Sequence, residues 1–181
     1  MMPNFLKLSC LAICFFISGC ITFTDYYVKP DASYEILPTG QEGVSFDIKY
    51  KKIIIDLYVR GYSRSITAEL KIRNLSRNEI VFKGYETQLI SQSNNRIQYP
   101  SHVWKRESFS IENQSSYLLD EESLVIINPQ QEQLFLLNLG SEEFHFNFLN
   151  KKSETHLIVF KFIDSNDREF FIKSEIVSII R

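Results

Sequence analysis

The chain has 181 residues, with 20 Lys and Arg against 22 Asp and Glu, which gives a formal net charge of -2. Its hydrophobic fraction of 44% and charged fraction of 23% are typical of a folded domain and exclude a disordered chain. Because phosphate binding needs many clustered cations, this balance also argues against nucleic acid as a partner. The length predicts one domain, or one domain with a short tail.

A short apolar segment follows Lys7, the only charged residue near the N-terminus. It covers residues 8–17, which is too short to cross a bilayer as a helix but has the length of a signal-peptide core. It ends in Ile17-Ser18-Gly19-Cys20, which resembles the lipobox of bacterial lipoproteins: an aliphatic residue, two small residues and Cys. The resemblance implies that residues 1–19 are a signal peptide, expected to be helical, and that Cys20 becomes a lipidated N-terminus.

The other cysteines, Cys10 and Cys14, lie in the segment that would be removed. The mature chain would then hold no thiol for a disulfide, a zinc site or nucleophilic catalysis. Two or more acyl chains anchor a protein stably, so we expect the membrane to be a partner through lipid on Cys20. Ile21 and Thr22 follow, where enteric lipoproteins retained in the inner membrane have Asp. The resemblance therefore implies the outer membrane, facing the periplasm.

The rest of the chain is organised as a tether and a β domain. Residues 20–43 mix aromatic residues with Pro and Gly and predict a tether with one short strand, whereas strict alternation of apolar and polar residues begins at Val44. No window of 12 residues has a convincing helical stripe of apolar residues, and the nearest helix candidate, Ser116–Glu122, is short. We predict an all-β fold over 44–181, an antiparallel β-sandwich of roughly ten short strands. The strand-like segments are 34–37, 44–50, 53–59, 66–72, 80–82, 88–92, 96–99, 124–127, 134–139, 144–148, 158–162 and 170–172.

Two segments resemble the Ig-like sandwiches of bacterial envelope lipoproteins. One is 70–76, an alternating strand that runs into Asn74-Leu75-Ser76, and the other is 124–129, a strand that ends in Asn-Pro. The resemblance implies an Ig-like sandwich and implies no activity.

No catalytic or metal-binding motif is found. His145 and His156 are expected on the solvated faces of strands, and the chain has neither a free Cys nor a His-x-x-x-His pair for a zinc site. The acidic cluster at 164–169 lacks the central Gly and the flanking helices of an EF-hand, and its residues are typical of a turn. We therefore expect no enzyme activity, no metal and no cofactor.

One segment has an unusual composition and is a candidate site for binding a partner. It contains Tyr99, His102, Trp104, Lys105 and Arg106, and Trp104 is the single Trp of the chain. Pro100 lacks a backbone donor, which predicts a loop or an edge strand. Exposed Trp, Tyr and Arg are typical of interface hot spots. The alternative is that Trp104 closes one end of the core while the two cations are solvated.

Three functions remain open from the sequence. The first is a lipid-anchored periplasmic module that binds an envelope protein in a structural or accessory role. The second is a carrier of an apolar ligand in a barrel or cleft, which would need a continuous internal cavity above about 300 Å³. The third is a hydrolase, which would need two carboxyl groups about 5–10 Å apart in a cleft. An exposed apolar patch without a cavity would favour the first.

Overall fold

The computed structural model describes residues 23–38, 43–62, 65–107, 115–139 and 155–178. Within them the chain forms fourteen antiparallel strands and one turn of 3-10 helix, Gly84–Glu86. The strands make two sheets that pack face to face, so the predicted all-β sandwich is confirmed. The predicted strand over 144–148, the signal peptide and Cys20 lie outside the described residues.

The first sheet contains seven of the strands and the beginning of an eighth. The bounds are β2 (Glu35–Leu37), β3 (Val44–Ile48), β4 (Ile53–Tyr62), β5 (Ser65–Asn74), β9 (His102–Arg106), β10 (Ser116–Leu118) and β12 (Glu132–Asn138). The spatial order of these strands runs from β10 through β9, β12, β5 and β4 to β3 and β2.

The second sheet is built on the long hairpin of β13 and β14. The last strand pairs with β1 on its other side, while β13 pairs with β6 along one half and with β7 along the other. The outer strands β11 and β8 pair with β6 and β7. The bounds are β1 (Phe23–Pro30), β6 (Ile80–Phe82), β7 (Gln88–Ser91), β8 (Ile97–Gln98), β11 (Val125–Ile127), β13 (Thr155–Asp164) and β14 (Glu169–Ser178).

The core lies between the sheets and is filled by the apolar side of each alternating strand. Phe82 and Phe162 of the second sheet are fully buried, and their ring centroids are 5.2 Å apart. Phe135 of the first sheet lies with its ring 4.7 Å from that of Phe82. These contacts join the two sheets, because apolar faces removed from water pack at crystal-like density.

Within the tether predicted over 20–43, the short strand expected at 34–37 is observed as β2. The prediction is wrong for residues 23–30, which form β1. The first three residues of β1 pair with β4 of the first sheet, and the remainder pairs with β14 of the second. Tyr26 and Val28 point into the core. The sequence does not show this alternation clearly, because the exposed residue between Tyr26 and Val28 is Tyr27, which is itself aromatic. Pro30, a residue disfavoured in strands, follows closely. The sandwich therefore begins three residues after Cys20.

The nearest helix candidate, Ser116–Glu122, forms no helix. Its first three residues form β10, which pairs antiparallel with β9. A turn follows, closed by the N–H of Ser123 donating to the carbonyl of Asp120 at 2.9 Å. A segment this short is marginal as an isolated helix, and the hydrogen bonds of a neighbouring strand outweigh its weak helical preference.

Candidate functional site

The segment with the single Trp forms β9, which lies between β12 and β10. The prediction of a loop or an edge strand is therefore wrong. Pro100 precedes the strand, so its missing backbone donor is not needed for the pairing with either neighbour. The register places Trp104 between Leu136 of β12 and Leu118 of β10.

Trp104 lies on the outer face of the first sheet. Its neighbour Val103 is fully buried in the core, and successive side chains of a strand point to opposite faces. The Trp104 ring is half-buried and stacks on the ring of His102, with centroids 5.3 Å apart and planes inclined by 17°. Trp104 is therefore not the residue that closes the core.

Five side chains form a continuous outer patch, which we call the Trp104 surface: His102, Trp104, Arg106, Leu118 and Leu136. Leu118 is 56% exposed, whereas Leu136 and Arg106 are half-buried. The Arg106 Nε is buried and has no hydrogen-bond partner among the residues that the structure describes. The patch therefore combines an aromatic pair, exposed aliphatic carbon and a cation with unused hydrogen-bonding capacity.

Two of the five predicted site residues do not belong to this surface. Tyr99 precedes β9 and is exposed, and its hydroxyl accepts a 3.5 Å hydrogen bond from Gln88 of the second sheet. Lys105 alternates with Trp104 and so lies on the opposite face, where the register places it beside Tyr117. Sequence reasoning missed Leu118 and Leu136, because only the strand register brings them next to Trp104.

A solvent-open cleft of about 360 Å³ lies between the β3–β4, β5–β6 and β13–β14 turns at one end of the sandwich. Inside it the Lys51 Nζ is 3.3 Å from a carboxylate oxygen of Asp164 and 4.2 Å from the centre of the Phe170 ring. The pKa of Asp164 is lowered, mainly because the backbone N–H of Asn166 donates to it, with the N–H of Arg168 and Lys51 also contributing. An acid of this kind is ionised near neutral pH and is unsuited to donate a proton.

His156 is buried rather than solvated, which corrects the sequence interpretation. It is 1% exposed, and its ring centroid is 6.3 Å from that of Tyr26. Burial lowers the pKa of His156 to about 4. The alternation of Ile158, Phe160 and Phe162 extends back to His156 and places it on the core side of β13.

The outer face of the second sheet has a different character, because ion pairs cross it. Lys161 bridges Glu86 and Glu169 at 2.6 Å and 2.8 Å, and Lys83 lies 2.6 Å from the other oxygen of Glu86. The hydrogen bonds from Lys161 and Lys83 lower the pKa of Glu86, and those from Lys161 to Glu169 and Glu86 raise the pKa of Lys161. Both lysine side chains are largely covered, whereas Glu86 and Glu169 are well exposed to solvent.

We expect Glu86→Gln to lower the free energy of unfolding by at most about 1 kcal/mol, because Glu86 itself is well exposed. A carboxylate with a lowered pKa stabilises the fold above its ordinary pKa and loses this effect as pH falls through the lowered value. The difference between the variant and the wild type in urea unfolding should therefore be present at pH 7 and shrink in acid. Glu35→Gln, which breaks the solvent-exposed pair with Lys49, is the control and should change little. A larger loss for Glu35→Gln would contradict the argument.

The described residues offer neither a metal site nor a membrane-spanning helix. Among them, no group of three or more His, Cys, Asp and Glu side chains could hold a metal ion. In the same residues, no helix is long and apolar enough to cross a bilayer.

Comparison with known proteins gives no family. No family model matches the sequence, and no curated protein matches it. One solved structure, described as the "X-ray structure of Northeast Structural Genomics Consortium target SoR45", aligns over 87% of this chain and 86% of its own, with 9% identity and a TM-score of 0.33. This likeness is too distant to support an argument about function.

Proposed function

We propose that the protein is a bacterial lipoprotein, anchored through lipid on Cys20, whose sandwich acts by binding at the Trp104 surface and not by catalysis. The observation that carries the proposal is that surface: a half-buried Trp stacked on His102, beside exposed Leu118 and the half-buried side chain of Arg106. This is the composition of a contact surface. The lipobox supports the anchor, and the residues after Cys20 support the outer membrane, with the domain in the periplasm.

The two alternative functions have less support from the described residues. The 360 Å³ cleft is lined largely by charged and polar turn residues, such as Lys52, Arg77 and Glu79, which do not suit an apolar ligand. Asp164 is held ionised by its hydrogen bonds, so it does not suit the general-acid step of a hydrolase.

Metabolic labelling tests the anchor. In cells given an alkyne fatty acid, the wild-type protein should be labelled and recovered with membranes, because acyl chains bury many methylene groups in lipid. Cys20→Ser removes the sulfur that would carry the lipid and should abolish the label.

The control is Cys14→Ser, which changes a cysteine within the segment that would be removed. It should keep both the label and the membrane fraction. Equal labelling of the wild type and Cys20→Ser would refute the anchor.

A further inference from the structure

We propose that the Trp104 surface contacts the headgroup region of the bilayer in which the protein is anchored. The inference rests on the proposed lipid on Cys20 and names what covers the contact surface. Three observations support it: the distance from Cys20 to the sandwich, the position of the surface along the first sheet, and its chemistry.

The link between the proposed lipid and the sandwich is very short. The strand β1 starts at Phe23, three residues after Cys20. Three residues span at most about 10 Å even when fully extended. The end of the sandwich at which β1 begins must therefore lie close to the headgroups.

The Trp104 surface lies near the middle of the first sheet, between the levels of Arg60 and Asp56 of β4. Phe23 pairs with Tyr62 of β4. Tyr58 lies four residues before Tyr62 in β4. It pairs with Glu69 of β5, which pairs with Leu136 of β12, which in turn pairs with Trp104 of β9. Because an extended strand rises about 3.3 Å per residue, this row lies about 13 Å from Phe23 in the direction of the strands. His102 is two residues closer and Arg106 two residues farther, so the contact requires the domain to lie with the outer face of the first sheet turned toward the bilayer.

The side chains suit a lipid–water boundary. Trp is enriched at both membrane interfaces because its ring is apolar while its N–H remains hydrogen-bonded. Leu118 offers exposed aliphatic carbon beside it. The half-buried Arg106 side chain supplies a positive charge on this face, and a lipid phosphate is an acceptor of suitable charge and geometry for a guanidinium group. Glu69 of β5 lies next to Leu136 on the same face, so the proposed contact would end at this carboxylate.

The single Trp makes the contact measurable. The full lipidated protein is reconstituted into vesicles of phosphatidylethanolamine and phosphatidylglycerol, with or without bromine on the acyl chains. Because Trp104 is the only Trp, its fluorescence reports on this surface alone. We expect brominated lipid to quench the fluorescence of Trp104. In plain vesicles the Trp104 emission should lie at shorter wavelength than the emission of the delipidated protein in detergent-free solution.

A matched pair of variants tests the surface itself. Leu118→Glu places a charge in the patch and should weaken the contact by about tenfold or more, with loss of quenching. Leu75→Glu makes the same change at an exposed leucine in the loop after β5, at the far end of that strand, and should keep the quenching. Both positions are exposed, so the two variants should keep the melting temperature of the wild type.

The outcomes separate this inference from the anchor. Wild-type protein that floats with the vesicles but shows no quenching overturns the bilayer contact and leaves the anchor intact. The contact is also overturned if Trp104 is unquenched in vesicles yet shielded from acrylamide in native membranes, because a protein would then cover the surface. Quenching that survives Leu118→Glu and is lost in Leu75→Glu contradicts the assignment to this face. Wild-type protein that fails to float contradicts the anchor, and the inference falls with it.

Discussion

Replacing Asn74 by Ala is expected to lower the free energy of unfolding by about 3 kcal/mol, because its buried amide ties the two sheets together. Asn74 is the last residue of β5, and its side-chain N–H groups donate to the carbonyls of Ile127 and Asn78 at 2.9 Å and 2.8 Å. Its side-chain oxygen accepts hydrogen bonds from the backbone N–H and the hydroxyl of Ser76. Alanine would remove the Asn74 donor from the buried carbonyl of Ile127, which lies in β11 of the second sheet.

A second substitution at the same site identifies which half of the amide matters. Asn74→Asp keeps an acceptor for Ser76 but replaces both donors by a carboxylate facing two carbonyl oxygens. We therefore expect it to destabilise the fold at pH 7 more than alanine does. Thermal unfolding should show a loss of roughly 10 °C for Asn74→Ala.

The control for Asn74 is an exposed asparagine with a weaker contact. Asn128 donates one 3.2 Å hydrogen bond to the side chain of Gln131 in the turn between β11 and β12. Asn128→Ala should change stability by less than about 0.5 kcal/mol. Equal melting temperatures for Asn74→Ala and Asn128→Ala would mean that the amide does not hold the sheets together.

The fold class was predictable because the long strands keep one face in the core. In β4 and β5 every second residue from Ile53 to Val59 and from Ile66 to Ile72 is almost completely buried, so the apolar residues repeat with period 2. The short strands carry too few residues for this signal. In β9 the period is also hidden because Trp104, the largest apolar side chain, points outward, while the charged Lys105 lies on the same face as the buried Val103.

Only part of the candidate site was predictable, for a related reason. The composition of the segment around Trp104 identified His102, Trp104 and Arg106. Leu118 and Leu136 lie far from them along the chain, and their approach depends on the register of three strands, which no local pattern specifies. The position of β1 depends in the same way on pairing with both sheets.

The pH dependence of stability is expected to report on His156. Burial lowers its pKa to about 4 in the folded protein, whereas an unfolded chain gives histidine its ordinary pKa of about 6.5. Between these values the unfolded chain binds the proton and the folded protein does not, so the fold loses stability as pH falls from 6.5 to 4. The loss should total about 3 kcal/mol, of which about 2 kcal/mol is present at pH 5. Above pH 7 the contribution of His156 is constant.

Urea unfolding at pH 7 and pH 5 measures this loss, and His156→Gln tests its origin. Glutamine is polar but does not titrate, so the variant should lose about 2 kcal/mol less than the wild type between the two pH values, even if it is less stable at pH 7. The described carboxylates with lowered pKa are Asp31, Glu86, Glu107 and Asp164. They lose their contribution only below about pH 4.5 and so interfere little in this window. If His156→Gln keeps the pH dependence of the wild type, the proton enters elsewhere, and the imidazole of His156 does not couple folding to pH.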